Sequence, residues 1–299
     1  MKIGRFGMEL LKTYLTISNK KAFKNHPPRD AFRSRINIPY IDDGSEYHTY
    51  DVYLADESNR KHCCILDIHG GSYIFGNHRY NYPYAYYLLK AGFDVVLLDY
   101  APNDGKKDIY DLFKDVCLNL RHLKNRLEEY DLADDTFVIS GDSAGGHIAL
   151  LISTAMQCED VAKATQLNVE EFDIRATVVS CPVYDFANLP HGALKSNALE
   201  RMLGPRYNDI RHLEIYSART YINQHRLPLF VSTSNHDFLR SESLMLAREV
   251  KGKENFKLVD IKTENKEANH VHNVTKIDLP ESIEVNNAII EFIDDIINK

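Results

Sequence analysis

The stretch at 137–147, FVISGDSAGGH, decides the interpretation of this chain, because an apolar run ends there in a serine surrounded by small residues. Residues 141–145, GDSAG, match G-x-S-x-G, the nucleophile elbow that turns sharply from a strand into a helix. Such a turn holds its serine in a strained backbone conformation, so bulky neighbours would clash. The serine then projects above the carboxyl edge of a sheet, at the positive end of the helix dipole. We therefore predict that Ser143 is a nucleophile.

A second glycine-containing turn follows another apolar run, at 66–76, LDIHGGSYIFG. Consecutive glycines leave backbone N–H groups uncovered, and acyl transfer needs such donors to hold the negative oxygen of a tetrahedral intermediate. The interval between His69 and Ser143 leaves room for two βα units. We therefore expect both turns at one edge of the same sheet.

Strand-like and helix-like patterns alternate along the chain. Strand–helix alternation indicates βαβ units, and continuous apolar runs are typical of strands covered on both faces. The sequence therefore predicts an α/β fold, a doubly wound and mostly parallel sheet of about eight strands, in a single domain spanning 1–299. The strand-like runs lie at 35–41, 47–55, 62–71, 94–100, 136–140, 175–182, 228–234 and 256–262, and the helical patterns at about 80–91, 107–129, 144–157, 241–251 and 281–298.

One interval is too long for a plain crossover loop. It lies at 187–225, between the sixth and seventh strand-like runs, and carries two helical patches. The N-terminal segment, at about 1–34, contains apolar residues at helical spacing. We expect these two segments to form a small cap over the carboxyl edge of the sheet.

Composition excludes several classes of protein. The 299 residues are 44% hydrophobic and 26% charged, with a net charge of −7 and no basic block, which argues against a nucleic-acid partner. Five cysteines at irregular spacing, without a CxxC pair, indicate reduced thiols, no zinc site and a cytoplasmic location. No apolar span is long enough to cross a membrane. The expected partner is a small-molecule substrate, and formation of a homo-oligomer is left open.

The motifs together resemble the hormone-sensitive-lipase-like carboxylesterases of the α/β-hydrolase superfamily. The resemblance runs from about residue 60 to the end and rests on HGGSYIFG, GDSAGG, SNHDFLRSES and NHVHNV. It implies an oxyanion hole from the backbone N–H groups of Gly70, Gly71 and Ala144. The chain departs from the family at Ser72, which replaces the third glycine of the usual H-G-G-G. It departs again at 99–108, DYAPNDGKKD, where the family has an arginine-containing segment.

The superfamily order, serine then acid then histidine, limits which residues can be the catalytic acid and the catalytic base. Asp237 and Asp185 both end strand-like runs, and the family's D-x-L-R turn favours Asp237 as the acid. Two histidines follow the eighth run. The family pattern of a histidine, any residue and an aromatic assigns His270 as the base and His272 as a wall of the substrate pocket.

These assignments predict a serine hydrolase that cleaves small carboxylic esters through an acyl-enzyme, with no metal and no organic cofactor. We place Ser72, Tyr73, Asp142 and His272 around the substrate. Among them, Asp142 is expected to act mainly as support for the elbow. One alternative is an amidase such as the related arylformamidases. Another is a non-catalytic receptor on the same fold, whose usual sign would be loss of a triad residue.

Overall fold

The computed structural model describes residues 29–186 and 196–298, and these contain one sheet of eight strands flanked by helices. The prediction of an α/β fold with about eight strands is confirmed. The strands are β1 (Arg33–Pro39), β2 (Thr49–Leu54), β3 (Cys63–Ile68), β4 (Asp94–Leu98), β5 (Thr136–Asp142), β6 (Ile174–Ser180), β7 (Leu229–Ser234) and β8 (Phe256–Ile261).

The strand order across the sheet is β1-β2-β4-β3-β5-β6-β7-β8. The pairs β1–β2 and β2–β4 are antiparallel, and the six strands from β4 to β8 are parallel. Every residue of β3, β4 and β7 is buried, as expected for continuous apolar runs between two helical layers. The parallel strands point their carboxyl ends to one edge, where β5 lies between β3 and β6.

Ten α-helices lie within the described residues, and two separate apolar cores cover the two faces of the sheet. The helices are α1 (Tyr82–Lys90), α2 (Ile109–Lys124), α3 (Ser143–Gln157), α4 (Glu159–Thr165), α5 (Ser196–Leu203), α6 (Ile210–Ile215), α7 (Ala218–Tyr221), α8 (Arg240–Glu249), α9 (His272–Thr275) and α10 (Pro280–Ile297). One core includes α2 and α3, and the other includes α1 and α10.

The helical patterns located α1, α2, α3, α8 and α10, and they missed α4 and α9. Helix α4 has seven residues and α9 has four, too few for a repeating apolar face. None of the helices within 29–186 and 196–298 has both the length and the apolar character that a bilayer crossing requires.

The expected cap lies partly outside the described residues, which exclude 1–28 and 187–195. Within its described part, residues 33 and 34 belong to the edge strand β1. The later part forms α5, α6 and α7, whose apolar side chains join the core that includes α2 and α3. There the backbone N–H of Ala218 donates to Nε2 of His147, one turn after Ser143 in α3.

Candidate active site

The turn from β5 into α3 requires small residues on both sides of Ser143. The backbone φ of Ser143 is +52°, a left-handed conformation that is strained for a residue with a side chain. A Cβ atom on Gly141 would lie 2.5 Å from the carbonyl oxygen of Gly145, and one on Gly145 would lie 2.0 Å from that of Ile68. The glycines therefore allow the elbow to pack against β3.

Three side chains from different elements meet at this edge. His270, in the loop between β8 and α9, places its Nε2 2.9 Å from Ser143 Oγ and its Nδ1 2.6 Å from Asp237 Oδ1. The backbone N–H of Leu239 donates to Asp237 Oδ1, and the hydroxyl of Thr233 donates to its Oδ2. The carboxylate is therefore held on both oxygens and can orient the imidazole ring toward the serine.

Asp237 stays ionised in this setting. Burial raises the pKa of its carboxyl, but hydrogen bonding and the charge of His270, with the Leu239 N–H and the Thr233 hydroxyl, outweigh burial and lower the pKa below its usual value.

Cys181 Sγ, Asp237 and His270 offer ligand atoms within 4.8 Å of one another. Burial and Asp237 raise the pKa of the Cys181 thiol well above its usual value, so it is a poor metal ligand. This set of groups fits proton transfer better than metal binding.

Asp185, the rival acid, is engaged elsewhere. Its Oδ2 lies 2.8 Å from Nη1 of Arg219, and its backbone N–H donates to the carboxylate of Glu242 in the first turn of α8. The structure therefore brings Asp237, and not Asp185, to the histidine.

The glycine turn after β3 packs directly against the serine. A Cβ atom on Gly70 would lie 3.1 Å from Ser143 Cβ and 2.4 Å from Asp142 Oδ2. The N–H of Gly70 donates to Asp142 Oδ1 at 3.0 Å, so the expectation that it serves the oxyanion hole does not fit this geometry. Within 29–186 and 196–298, the N–H groups of Gly71 and Ala144 donate to no acceptor. These two donors remain for an oxyanion.

Two side chains expected around the substrate are buried instead. Asp142 accepts hydrogen bonds from the Gly70 N–H and from Asn81 Nδ2, so it supports the glycine turn. Tyr73 is fully buried, its hydroxyl bonds Nδ1 of His147 at 3.1 Å, and its ring packs against a phenylalanine. Neither side chain presents a surface to substrate. Ser72 is partly exposed, with φ of +52°, and its placement beside the substrate stays a prediction.

His272 is not a pocket wall either. It opens α9, is 1% exposed, and its Nδ1 lies 2.9 Å from the hydroxyl of Ser282 in α10. Burial lowers the pKa of its ring to about 4, so it is neutral near pH 7. The expectation failed because a short helix begins at His272 and turns its side chain toward α10.

Sequence reasoning missed Phe238. Its side chain is 73% exposed, and its ring centroid lies 4.2 Å from that of His270. Single exposed apolar side chains are common, so the contact with the ring of His270, and not the exposure, makes Phe238 a candidate site residue. The available signal was position, because Phe238 is the variable residue of the D-x-L-R turn.

The fold and the elbow define an α/β hydrolase. A family model described as BD-FAE matches residues 50–244, more than half of the chain. The chain therefore belongs to the BD-FAE family. The predicted membership of the α/β-hydrolase superfamily is confirmed.

A curated relative and several solved structures are similar to this chain. The "Probable carboxylic ester hydrolase LipM" of Mycobacterium tuberculosis is 30% identical over 182 residues, which are 58% of this chain and 41% of that protein, so the match spans less than half of the relative. Esterase B from Lactobacillus rhamnosis has a TM-score of 0.85 at 20% identity, covering 97% of this chain and 94% of that one. The same esterase inhibited by a C4-C4 SN3 tributyrin phosphonate has a TM-score of 0.84 at 20% identity, with the same coverage. A Pyrobaculum calidifontis esterase has a TM-score of 0.67 at 19% identity, covering 95% of this chain and 92% of that one.

Proposed function

We propose that this protein is a carboxylesterase that hydrolyses esters of small molecules through an acyl-enzyme on Ser143. The observation that carries the proposal is the continuous hydrogen-bonded chain from Ser143 Oγ through His270 to Asp237. A serine hydroxyl is a weak nucleophile until a base takes its proton, and here the base is oriented by a buried acid. Membership of the BD-FAE family and the curated relative's description support ester hydrolysis.

The proposed reaction has two halves. Ser143 Oγ attacks the ester carbonyl while His270 Nε2 takes its proton, and Asp237 stabilises the imidazolium that forms. The imidazolium then protonates the departing alcohol, which leaves the acyl group on Ser143. A water molecule, deprotonated by His270, attacks the acyl carbonyl, and the imidazolium then returns the proton to Ser143 Oγ as the bond to the acyl group breaks and the carboxylic acid leaves. No step uses a metal or an organic cofactor.

The negative oxygen of each tetrahedral intermediate needs donors that are already in place. We assign this role to the backbone N–H groups of Gly71 and Ala144. They lie on the two turns that pack against each other at the carboxyl edge of β3 and β5, and the Ala144 N–H opens α3, where the helix dipole favours negative charge.

We further propose a short acyl chain and a small alcohol. The inhibitor named for esterase B, a tributyrin phosphonate, carries a butyryl-sized chain, and that esterase shares the fold over nearly the whole chain. Phe238 offers an exposed apolar surface beside His270, the group that protonates a leaving alcohol. We also propose that the cap, at 1–34 and 187–225, shapes the entrance to the substrate site. A cytoplasmic site of action is proposed because all five cysteines are free thiols.

A substrate panel tests the proposal. The purified protein should hydrolyse p-nitrophenyl acetate and butyrate faster than the longer octanoate, and should cleave an N-formyl arylamine much more slowly. A preference for the formamide would select the amidase alternative. No turnover of any ester or amide, with ligand binding retained, would favour the receptor alternative and refute the esterase.

A further inference from the structure

A buried row of charged side chains lies behind the glycine turn and takes no part in the proposed chemistry. It comprises Asp51 on β2, His78 just before α1, Asp99 after β4 and His69 after β3. None of the four is more than 1% exposed. Buried charges are costly unless each is paired and hydrogen-bonded, so an extended buried array of this kind calls for a reason.

The four side chains are joined end to end. His78 Nε2 lies 3.2 Å from Asp51 Oδ1, and its Nδ1 lies 2.8 Å from Asp99 Oδ2. Asp99 Oδ1 lies 2.8 Å from His69 Nε2, and His69 Nδ1 lies 2.6 Å from the carbonyl oxygen of Gly70. His78 Nδ1 thus donates to Asp99, and His69 Nδ1 donates to the Gly70 carbonyl. His78 Nε2 is held beside Asp51 Oδ1 as a charge pair, without hydrogen-bond geometry.

The ionisation of the central pair agrees with this arrangement. Burial lowers the pKa of His78, but its contacts with the carboxylates of Asp51 and Asp99 outweigh burial and raise that pKa to about 9. Burial raises the pKa of Asp99, and hydrogen bonds from His69 and His78 bring it below its usual value.

The carboxyl groups of Asp67 and Asp142 lie close enough to His69 to interact with it electrostatically, and the Tyr100 ring stacks on it. Further titratable groups facing this row are phenols. The hydroxyl of Tyr40 donates to the backbone carbonyl of Asp99, and that of Tyr53 donates to Asp51 Oδ2. Burial, then neighbouring acids that include Asp99, raise the pKa values of Tyr40 and Tyr47, so both phenols stay neutral. The raised pKa of His78 places the loss of its charge near pH 9.

The row ends at the peptide group that carries an oxyanion donor. In a trans peptide the carbonyl of one residue and the N–H of the next point in opposite directions across a plane. Clamping the Gly70 carbonyl therefore fixes the direction of the Gly71 N–H. The clamp matters because Gly71 has φ of +124°, where a flexible glycine turn has several alternatives.

We propose that Asp51, His78 and Asp99 are positioning residues that hold His69 as a donor to the Gly70 carbonyl and so keep the Gly71 N–H directed at the oxyanion. This rests on the proposed ester hydrolysis. Because donors of this kind act mainly in the transition state, loss of the row should lower kcat and leave KM nearly unchanged.

The experiment compares His78→Gln and Asp51→Asn with His225→Gln as the matched control. His225 is a similarly buried histidine whose Nδ1 bonds Thr154, and it lies before β7, which is three strands away from β3 in the sheet. With p-nitrophenyl butyrate, the His78→Gln and Asp51→Asn variants should each lose about 10- to 100-fold in kcat, since removing a whole oxyanion donor costs about 10²- to 10³-fold. The control should keep the kcat of the wild type.

The pH profile separates positioning from a merely structural role. In the wild type kcat should fall reversibly above about pH 9, as His78 loses its proton, with an unchanged far-UV spectrum. The His78→Gln protein should lack that decline. A simple loss of stability would lower Tm and leave the profile of the folded protein as it was.

Clear results would overturn the proposal. If the wild type hydrolyses esters but His78→Gln and Asp51→Asn both stay within about twofold of its kcat, the row does not position the Gly71 N–H. If a variant does not fold, the wild-type profile decides, and a kcat that stays level to about pH 10.5 refutes the proposal. An inactive wild type would instead refute the proposed esterase function.

Discussion

Replacing Asp237 by Asn tests the acid of the proposed triad most sharply. The two oxygens of Asp237 accept three hydrogen bonds, from His270 Nδ1, the Leu239 N–H and the Thr233 hydroxyl. An amide has one oxygen, so it cannot accept all three, and it carries no charge to stabilise the imidazolium. If the amide nitrogen turns toward His270, it imposes the tautomer that cannot take the serine proton. We expect kcat to fall about 10⁴-fold, a rise in the barrier of about 5.4 kcal/mol at 1.36 kcal/mol per tenfold.

Asp185→Asn is the matched control, because Asp185 also ends a strand-like run and also pairs with a basic side chain. Asp185 is buried, whereas the side chain of its partner Arg219 is 39% exposed, so the lost ion pair should cost about 1–3 kcal/mol of stability and leave kcat of the folded protein unchanged. The assay is the steady-state and burst kinetics of p-nitrophenyl butyrate hydrolysis, with Tm measured for both variants. A large loss of kcat at Asp185, with Asp237→Asn nearly as active as wild type, would show that the acid is misassigned.

Three further predictions follow from buried or exposed rings near the site. His272→Phe should lower the free energy of unfolding by about 0.5–1.5 kcal/mol, because the Ser282 hydroxyl loses the ring as a hydrogen-bond partner and keeps only the backbone carbonyl of residue 272, while kcat of the folded protein stays within about tenfold of wild type; an inactive but stable variant would contradict this. Phe238→Ala should raise KM for an aromatic ester more than for an ethyl ester, and Phe238→Leu should restore part of the difference; equal effects on both esters would exclude contact with the alcohol group. Acid should destabilise the fold, since burial lowers the pKa of His147 and of His225 to about 3. The folded values lie below the unfolded value of about 6.5, so the unfolded chain binds more protons, and stability falls as the pH drops from about 6.5 toward 3. Urea unfolding from pH 7 to about 4.5 should show a loss of about 2.7 kcal/mol for each ring that stays neutral, and a smaller slope in His225→Gln; a level free energy of unfolding would refute the account.

The sheet and the elbow could be predicted because their physical signals are local. Strands buried on both faces need continuous apolar runs, and all eight runs became strands. The elbow needs small residues at Gly141 and Gly145 because any Cβ there would overlap neighbouring backbone, and that requirement is visible in the sequence itself. Chain order and the D-x-L-R turn then selected the acid that the structure brings to His270.

The errors share a different cause. Tyr73 was expected around the substrate because it follows the glycine turn, and His272 because it occupies the family's aromatic position. The structure gives each of them a buried partner instead, on α3 and on α10. Asp142 was predicted mainly as support for the elbow, and its hydrogen bond from the Gly70 N–H agrees with a supporting role. The position of a residue next to a motif does not show whether its side chain faces the substrate or the interior.

The prediction that the Gly70 N–H serves the oxyanion hole was wrong for a related reason. This N–H donates to Asp142, and the direction of each peptide plane in a glycine turn depends on which side chains lie behind it. Asp51, His78 and Asp99, from separate elements of the fold, are the groups behind this turn, and no single motif contains them.

Covalent labelling of the serine tests the central claim most directly. The protein is treated with a p-nitrophenyl organophosphate, the released nitrophenol is counted, and the adduct is located by mass spectrometry of a digest. The account predicts one equivalent released, complete loss of esterase activity, and the phosphoryl group on the peptide that contains Ser143. Prior incubation with a metal chelator should change neither the activity nor the labelling. An adduct on another residue, or esterase activity that survives full labelling of Ser143, would contradict the account.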